Sequence, residues 1–388
     1  MTRIALLPFY SQQDKQTGKF LLHSCVATKH IMFMAHKIHE ELGWKIRLLV
    51  PQLKDCQTLP AWDGTGDMLD IHEVAIPAEN MAQRLEWYPH RWPTLFKDVD
   101  ILFTSHELIG WAIKGAYPKM KVIQHHNLSP ETAWPWMSPL FDMNYEKADV
   151  ITCLSPSMRQ RIRDHLAKQR DFEKAIDGVQ LWPFAWNIQQ LHDPIQSQNW
   201  APPERDIDLL FVLRGSSTNY SHHVEFIAAL KVLREIGWQG KVYFPDQTRY
   251  LTENKLLEGI ENVYVQEGTN KNLGAYTRLL RRSKAVIGLC DNGFGGESIR
   301  EAIACGAFPI LLNCDGYKDL VDKDWPGLLS NMGAEYMAGF IQGIFESGLY
   351  ERATKDQLIH LTRNMNAGEY GAVWARNIKP TLLKLIQG

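Results

Sequence analysis

The sequence predicts an α/β fold made of two Rossmann-like βα domains, and three observations carry that prediction. Short apolar runs alternate with longer amphipathic ones along almost the whole chain, the pattern of parallel sheets covered by helices. A proline-rich passage, Asp193 to Arg205 (DPIQSQNWAPPER), interrupts this periodicity near the middle. The 388 residues are also too many for one comfortable core, whereas two domains of roughly 190 residues each fit ordinary domain sizes. The expected layout is a first domain over 1–192, a linker over 193–205 and a second domain over 206–365. A helical segment, 366–388, then packs back on the first domain.

The elements follow in order. Ile4–Leu7 reads as a first strand, and Ala27–Leu42 carries apolar residues at helical spacing. Ile46–Val50, Ile101–Phe103, Val122–Gln124 and Val150–Leu154 are short apolar strand candidates, and Ser157–Ala167 returns to the helical period. After the linker the same alternation restarts. Leu209–Leu213, Val242–Phe244, Val263–Val265, Ala285–Leu289 and Phe308–Leu312 are the strands. His223–Ile236, Leu273–Arg282 and a helix from about Glu297 are the helices between them, and Val373–Ile386 is a last helix. Two such domains imply a cleft between them, with ligands at the carboxyl ends of the strands.

Bulk properties exclude several classes. The formal charge is −2, from 42 basic and 44 acidic side chains divided evenly between the halves, so there is no global basic field for nucleic acid. Two local basic biases exist, over the first 50 residues and over Arg159 to Lys174; a solvated helix face accounts for the second. No apolar run reaches the roughly 20 residues of a membrane span. The N-terminus, MTRIALLP, is too short in its apolar part for a signal peptide and reads as a strand. Six cysteines include no Cys-x-x-Cys pair, which suggests neither zinc nor a disulfide framework and fits a reducing cytoplasm.

The most informative stretch is Asp291 to Ile310, DNGFGGESIREAIACGAFPI. An apolar strand leads into a glycine-rich turn and then into a helix, which is a phosphate cradle. Backbone N–H groups point outward there and the helix dipole favours an anion. Glu297 and Glu301 stand one turn apart on the same helix face. Capping alone explains an acid at a helix start but not three glycines beside it.

The run GFGGESIREAIACGAFPIL resembles the donor-site signature of GT-B glycosyltransferases, especially the retaining group that includes glycogen synthases and many bacterial mannosyl- and glucosyltransferases. The likeness is dense over about 25 residues and diffuse elsewhere. It implies a GT-B architecture and transfer of a sugar from a UDP- or GDP-sugar, with retention, and without a required cofactor. No Asp-x-Asp pair stands at a strand end, so no metal is called for.

Carried over by residue, the resemblance gives Glu301 the ribose hydroxyls, since a carboxylate accepts two hydrogen bonds from a vicinal diol. Ser298 and the amides of Gly295, Gly296 and Glu297 face the diphosphate. The family's sugar-contacting acid lies eight residues before the ribose glutamate, where this chain has Gly293. Asp291, Asn292 or Glu297 takes that place. Arg214 matches the arginine that neutralises the leaving diphosphate. The family's following lysine is missing, leaving His222, His223 or the hydroxyls of Ser216, Ser217 and Thr218 to substitute.

In the first domain His126, of the pair His125-His126, matches a histidine near the transferred sugar, with a hydrogen-bonding role. Gly18 and Lys19 match the glycine loop near the donor phosphate. Gln266 to Gly268 and Tyr276 lie where the base is expected. Among many aromatics in the first domain (Trp62, Trp87, Tyr88 and Trp92 included), Trp134 and Trp136 are the acceptor-side candidates, because aromatic faces stack on sugars.

The acceptor is a sugar or glycan, or alternatively a hydroxymethylated pyrimidine in DNA, as for phage enzymes of this fold. A non-catalytic nucleotide-sugar binder or a sugar-nucleotide epimerase is the second alternative. Fold analogy alone does not separate these.

Overall fold

The computed structural model describes residues 2–7, 26–52, 69–75, 93–105, 110–126, 138–168, 178–182, 204–211, 222–245, 250–266, 273–290, 297–352 and 371–387. The chain divides into two compact units: Met1–Trp186 together with Ala367–Gly388, and Asn187–Asn366.

The first unit runs β1 (Arg3–Leu7), α1 (Val26–Leu42), β2 (Lys45–Gln52), β3 (Leu69–Ala75), α2 (Pro93–Phe96), β4 (Ile101–Thr104), α3 (Gly110–Ala116), β5 (Lys121–His126), α4 (Ser138–Lys147), β6 (Val150–Cys153), α5 (Pro156–Ala167) and β7 (Val179–Leu181). Among the described residues its seven strands are all parallel, in the order β3-β2-β1-β4-β5-β6-β7. Helix α1 forms because its apolar residues fall on one stripe. Ile31, Met34, Ala35 and Ile38 stand at the i, i+3, i+4, i+7 positions and are all buried. They meet Ile4, Leu6, Ile46 and Leu48 from β1 and β2. Helix α5 starts where Pro156 fixes the first turn and the Ser155 hydroxyl accepts the Met158 N–H at 3.3 Å.

The second unit runs β8 (Ile207–Phe211), α6 (His223–Glu235), β9 (Val242–Phe244), α7 (Tyr250–Glu253), β10 (Val263–Val265), α8 (Leu273–Arg282), β11 (Ser283–Gly288), α9 (Glu297–Ala304), β12 (Phe308–Leu312), α10 (Asp315–Lys318), β13 (Leu328–Leu329), α11 (Ala334–Glu346) and α12 (Leu349–Arg352). Among the described residues its six parallel strands follow the order β10-β9-β8-β11-β12-β13.

The last described segment forms a helix whose turn Trp374–Ile378 is wound as a π-helix before α13 (Lys379–Gln387). Trp374, Ile378 and Leu382, spaced four apart, are buried in the core of the first unit beside Ile4, Ile31 and Trp182. Lys379 adds an exposed ion pair with Glu41 at 2.9 Å, which contributes little beside the apolar burial.

Several elements go beyond the sequence expectations. β3 carries Asp70, His72 and Glu73, so it does not read as an apolar run although it pairs with β2 over seven residues. β7 and β13 are three and two residues long and carry no periodicity. Helix α11 buries Met337, Ala338, Ile341 and Ile344 and packs against α6, while Gly339 and Gly343 mask its pattern.

Candidate functional site

Each sheet reverses its strand order once, between β1 and β4 in the first unit and between β8 and β11 in the second. In open parallel sheets, ligands bind outside the carboxyl ends of the strands at such a switch point. The glycine motif follows β11, one of the two switch-point strands of the second unit.

Helix α9 is the part of the motif that the structure describes in most detail. Ile299, Ala302 and Ile303 are buried on its sheet-facing side, and the helix packs on β11 and β12. Gly288, the last residue of β11, makes this approach possible. A Cβ there would stand 2.7 Å from the Tyr317 hydroxyl and 3.1 Å from Ile299 Cδ1. Glu297 opens the helix, Ser298 is half-buried in its first turn, and Glu301 lies one turn further in.

Glu301 is only 6% exposed, and its Oε2 accepts a hydrogen bond from the Tyr276 hydroxyl at 2.7 Å. Tyr276 belongs to α8 and is itself buried. The topology explains the meeting. The crossovers β10–α8–β11 and β11–α9–β12 advance in the same direction across the sheet, so right-handed connections put both helices on one face. Both residues stand in the first two turns of their helices, near the carboxyl edge of the sheet. Gln266 stands on the same edge after β10, its N–H bonded to the Phe244 carbonyl at 2.9 Å.

The end of the motif has a different task. Gly306 adopts φ +87°, a left-handed conformation that suits glycine. Its N–H donates to the Ile303 carbonyl at 2.8 Å and that of Ala307 to the Ala302 carbonyl at 2.9 Å. This pair of bonds is the Schellman stop of a helix. Arg205 completes it, donating to the carbonyls of Gly306, Cys305 (3.3 Å) and Ser283 (3.2 Å). A cation on the last carbonyls is favoured by the helix dipole. Although sequence reading places Arg205 at the end of a linker, its side chain anchors α9. Burial pushes the Cys305 thiol up to about 12, and the Glu301 charge adds to the shift, so this cysteine stays protonated.

The first unit gathers buried polar side chains at its own carboxyl edge. Thr104 and Ser105 end β4, Gln124, His125 and His126 end β5, and Thr152 and Ser155 follow on β6 and beyond; Asn144 joins them from α4. His125 Nδ1 pairs with the Thr152 hydroxyl at 2.8 Å, and Asn144 Oδ1 accepts the Trp111 N–H at 2.9 Å. A Cβ at Gly110 would fall 2.3 Å from Gln124 Oε1, so the end of that side chain would have to shift.

His126 is fully buried, its ring 5.5 Å from Phe141 and 4.8 Å from Tyr145 between centroids. Among the described residues neither of its ring nitrogens has a hydrogen-bond partner. Burial pushes both His125 and His126 down to about 3, with the neighbouring imidazole adding to the effect on His126, so both are neutral near pH 7.

Of the residues singled out in the sequence, the structure brings Glu301 and Tyr276 together and places Ser298, Glu297 and Gln266 on the same sheet edge. Gly18, Lys19, Asp291, Asn292, Gly295, Gly296, Gly268, Arg214, Ser216, Ser217, Thr218, Trp62, Trp87, Tyr88, Trp92, Trp134 and Trp136 lie outside the described residues. His222 takes a left-handed φ of 43° before α6 and pairs with Glu225 at 3.4 Å; His223 is buried. Sequence reading missed the Tyr276–Glu301 bond and most of the polar layer around His125. Its available signal was polar residues closing apolar strands, as in VIQHH and VITC.

No family model matches the sequence, and no curated protein matches it. Solved structures do resemble it. The sucrose-phosphate synthase of Thermosynechococcus elongatus superposes with a TM-score of 0.68 at 14% identity, over 99% of this chain and 100% of that one. The trehalose-6-phosphate synthase of E. coli, bound with UDP-2-fluoro glucose, gives 0.67 at 11% identity, over 97% and 99%. A UDP-N-acetylglucosamine 2-epimerase assignment from Listeria monocytogenes gives 0.59 at 12% identity, over 99% and 97%. At these identities the likeness speaks for architecture alone: the chain has the α/β GT-B fold.

Proposed function

We propose that this protein is a glycosyltransferase that moves a sugar from a UDP- or GDP-sugar to a hydroxyl acceptor with retention of configuration. The observation that carries the reading is Glu301. It is a buried carboxylate on the helix that follows the switch-point strand of the second unit, within a sequence run that resembles the GT-B donor signature. Such a group suits the ribose diol of a nucleotide. The start of α9, with Ser298, faces the diphosphate, and Arg214 stabilises the charge that develops on the leaving group. Asp291 or Glu297 contacts the donor sugar. In the first unit, neutral His126 offers hydrogen bonds to a sugar, and the acceptor is a sugar or glycan.

The test is a panel of UDP- and GDP-sugars incubated with and without pooled glycan acceptors, read by nucleotide diphosphate release and by the anomeric configuration of the product. Acceptor-stimulated release with retention is expected. Hydroxymethylated duplex DNA forms one arm, and transfer to it alone would replace the glycan acceptor. Interconversion of the nucleotide sugar without transfer would identify an epimerase instead, and donor binding with neither outcome a binder.

A further inference from the structure

We propose that Tyr276 is a positioning residue that fixes the Glu301 carboxylate for ribose recognition and so sets selectivity for ribonucleotide over deoxyribonucleotide donors. The inference rests on the reading of Glu301 as the ribose ligand. Its own basis is the buried hydrogen bond from the Tyr276 hydroxyl to Glu301 Oε2 at 2.7 Å. A carboxylate that accepts from both hydroxyls of a diol must present its oxygens at one orientation, and rotation about its last bond spoils both contacts. The terminal torsion of a glutamate is broad and two-fold when left to itself. A charge-assisted bond from a rigid ring is strong enough to narrow it, and Tyr276 is held by burial at 9% exposure.

The two helices serve the same end. α8 and α9 share one face of the sheet, so neither residue depends on a loop for its placement. Sites supported from helices hold their geometry more closely than sites on loops. Loss of the 2′-hydroxyl costs most when the acceptor facing it is fixed and left unpaired. A carboxylate free to turn forfeits that penalty and accepts either sugar.

The experiment measures the affinity of the full chain for UDP and 2′-deoxy-UDP, and for GDP and 2′-deoxy-GDP, by calorimetry. For the nucleotide that binds, the wild-type protein is expected to favour the ribose form by about tenfold or more. Tyr276→Phe, which removes one oxygen atom, is expected to cut that ratio to below about threefold, chiefly by weakening the ribose form. Glu301→Gln is expected to lose the preference as well. Nucleotide-induced thermal shifts read the same ratio in a destabilised variant.

A merely structural tyrosine would lower stability and leave the ratio intact, and that result overturns the proposal. Absence of any nucleotide binding by the wild-type protein would instead overturn the donor-site reading. A preference that survives Glu301→Gln would overturn the ribose assignment.

Discussion

The two units use one strand order and yet build opposite kinds of chemistry at their carboxyl edges. In the second unit the edge holds a carboxylate, Glu301, kept inside the protein with a tyrosine hydroxyl as partner. In the first, the buried polar groups at the corresponding edge are neutral among the described residues: threonines, amides and two imidazoles held uncharged by burial. The shared topology explains where polar side chains collect, because the strand ends are where loops and helix starts leave room for a ligand. It does not explain which groups collect there. That choice is made by a few residues, and it separates an edge with a buried carboxylate from one with neutral hydrogen-bonding groups.

The largest expected effect comes from removing the charge that distinguishes the second edge. Glu301→Ala is expected to weaken nucleotide diphosphate binding by about 100-fold or more, roughly 2.7 kcal/mol, the loss that follows if the proposed pair of charge-assisted bonds to the ribose is removed. The substitution also removes the hydrogen bond from the Tyr276 hydroxyl, so some loss of stability accompanies it. Titration calorimetry reads the first and far-UV circular dichroism confirms the fold. Unchanged affinity would place the nucleotide elsewhere and dissolve the contrast between the edges.

The second effect concerns acid. The unfolded histidines take up protons below about pH 6.5, whereas folded His125 and His126 do so only near 3. Between those values the unfolded state binds more protons, so stability is full above pH 6.5 and falls as pH falls. Each histidine contributes a slope of at most about 1.4 kcal/mol per pH unit. His223 in the second unit shifts the same way through burial, with Glu225 opposing it. Hydrogen exchange, corrected for intrinsic rates, is therefore expected to show β4–β6 losing protection from pH 7 to 5 faster than β8–β12. Equal losses in both sheets would break the comparison, and a His125→Gln, His126→Gln protein is expected to flatten the slope in the first sheet.

Legibility in the sequence follows the same division. Val242–Phe244, Val263–Val265, Leu273–Arg282 and Phe308–Leu312 match their expected bounds, because each is a compact apolar run or a strongly amphipathic one. β3 escaped notice because a strand paired through its backbone can carry charged side chains. Glu301 stood out in the sequence because its glycine context is local. Its bond to Tyr276 was not legible, since the partners lie 25 residues apart and meet only through the handedness of two crossovers. The task of Arg205 was not legible for a similar reason: the carbonyls it caps lie 78 to 101 residues away, so its neighbours in sequence give no sign of it.

The smallest expected effect sharpens the comparison within the motif itself. Glu301 and Gly306 belong to one run, EAIACGAFPI, yet the structure gives them separate surroundings. Gly306 stops α9 with φ +87° and bonds its own N–H to the Ile303 carbonyl. An alanine there must hold the left-handed conformation, which costs about 1–2 kcal/mol for a residue with a Cβ, and the loss falls on the folded state. Gly306→Ala is therefore expected to lower the unfolding free energy of the second unit by that amount in denaturant titration. Nucleotide affinity should stay within about twofold, because the Tyr276–Glu301 bond lies one turn or more upstream of the stop. A tenfold loss of affinity with little loss of stability would mean that the helix end sets the position of the carboxylate, and the motif would then act as one unit rather than two.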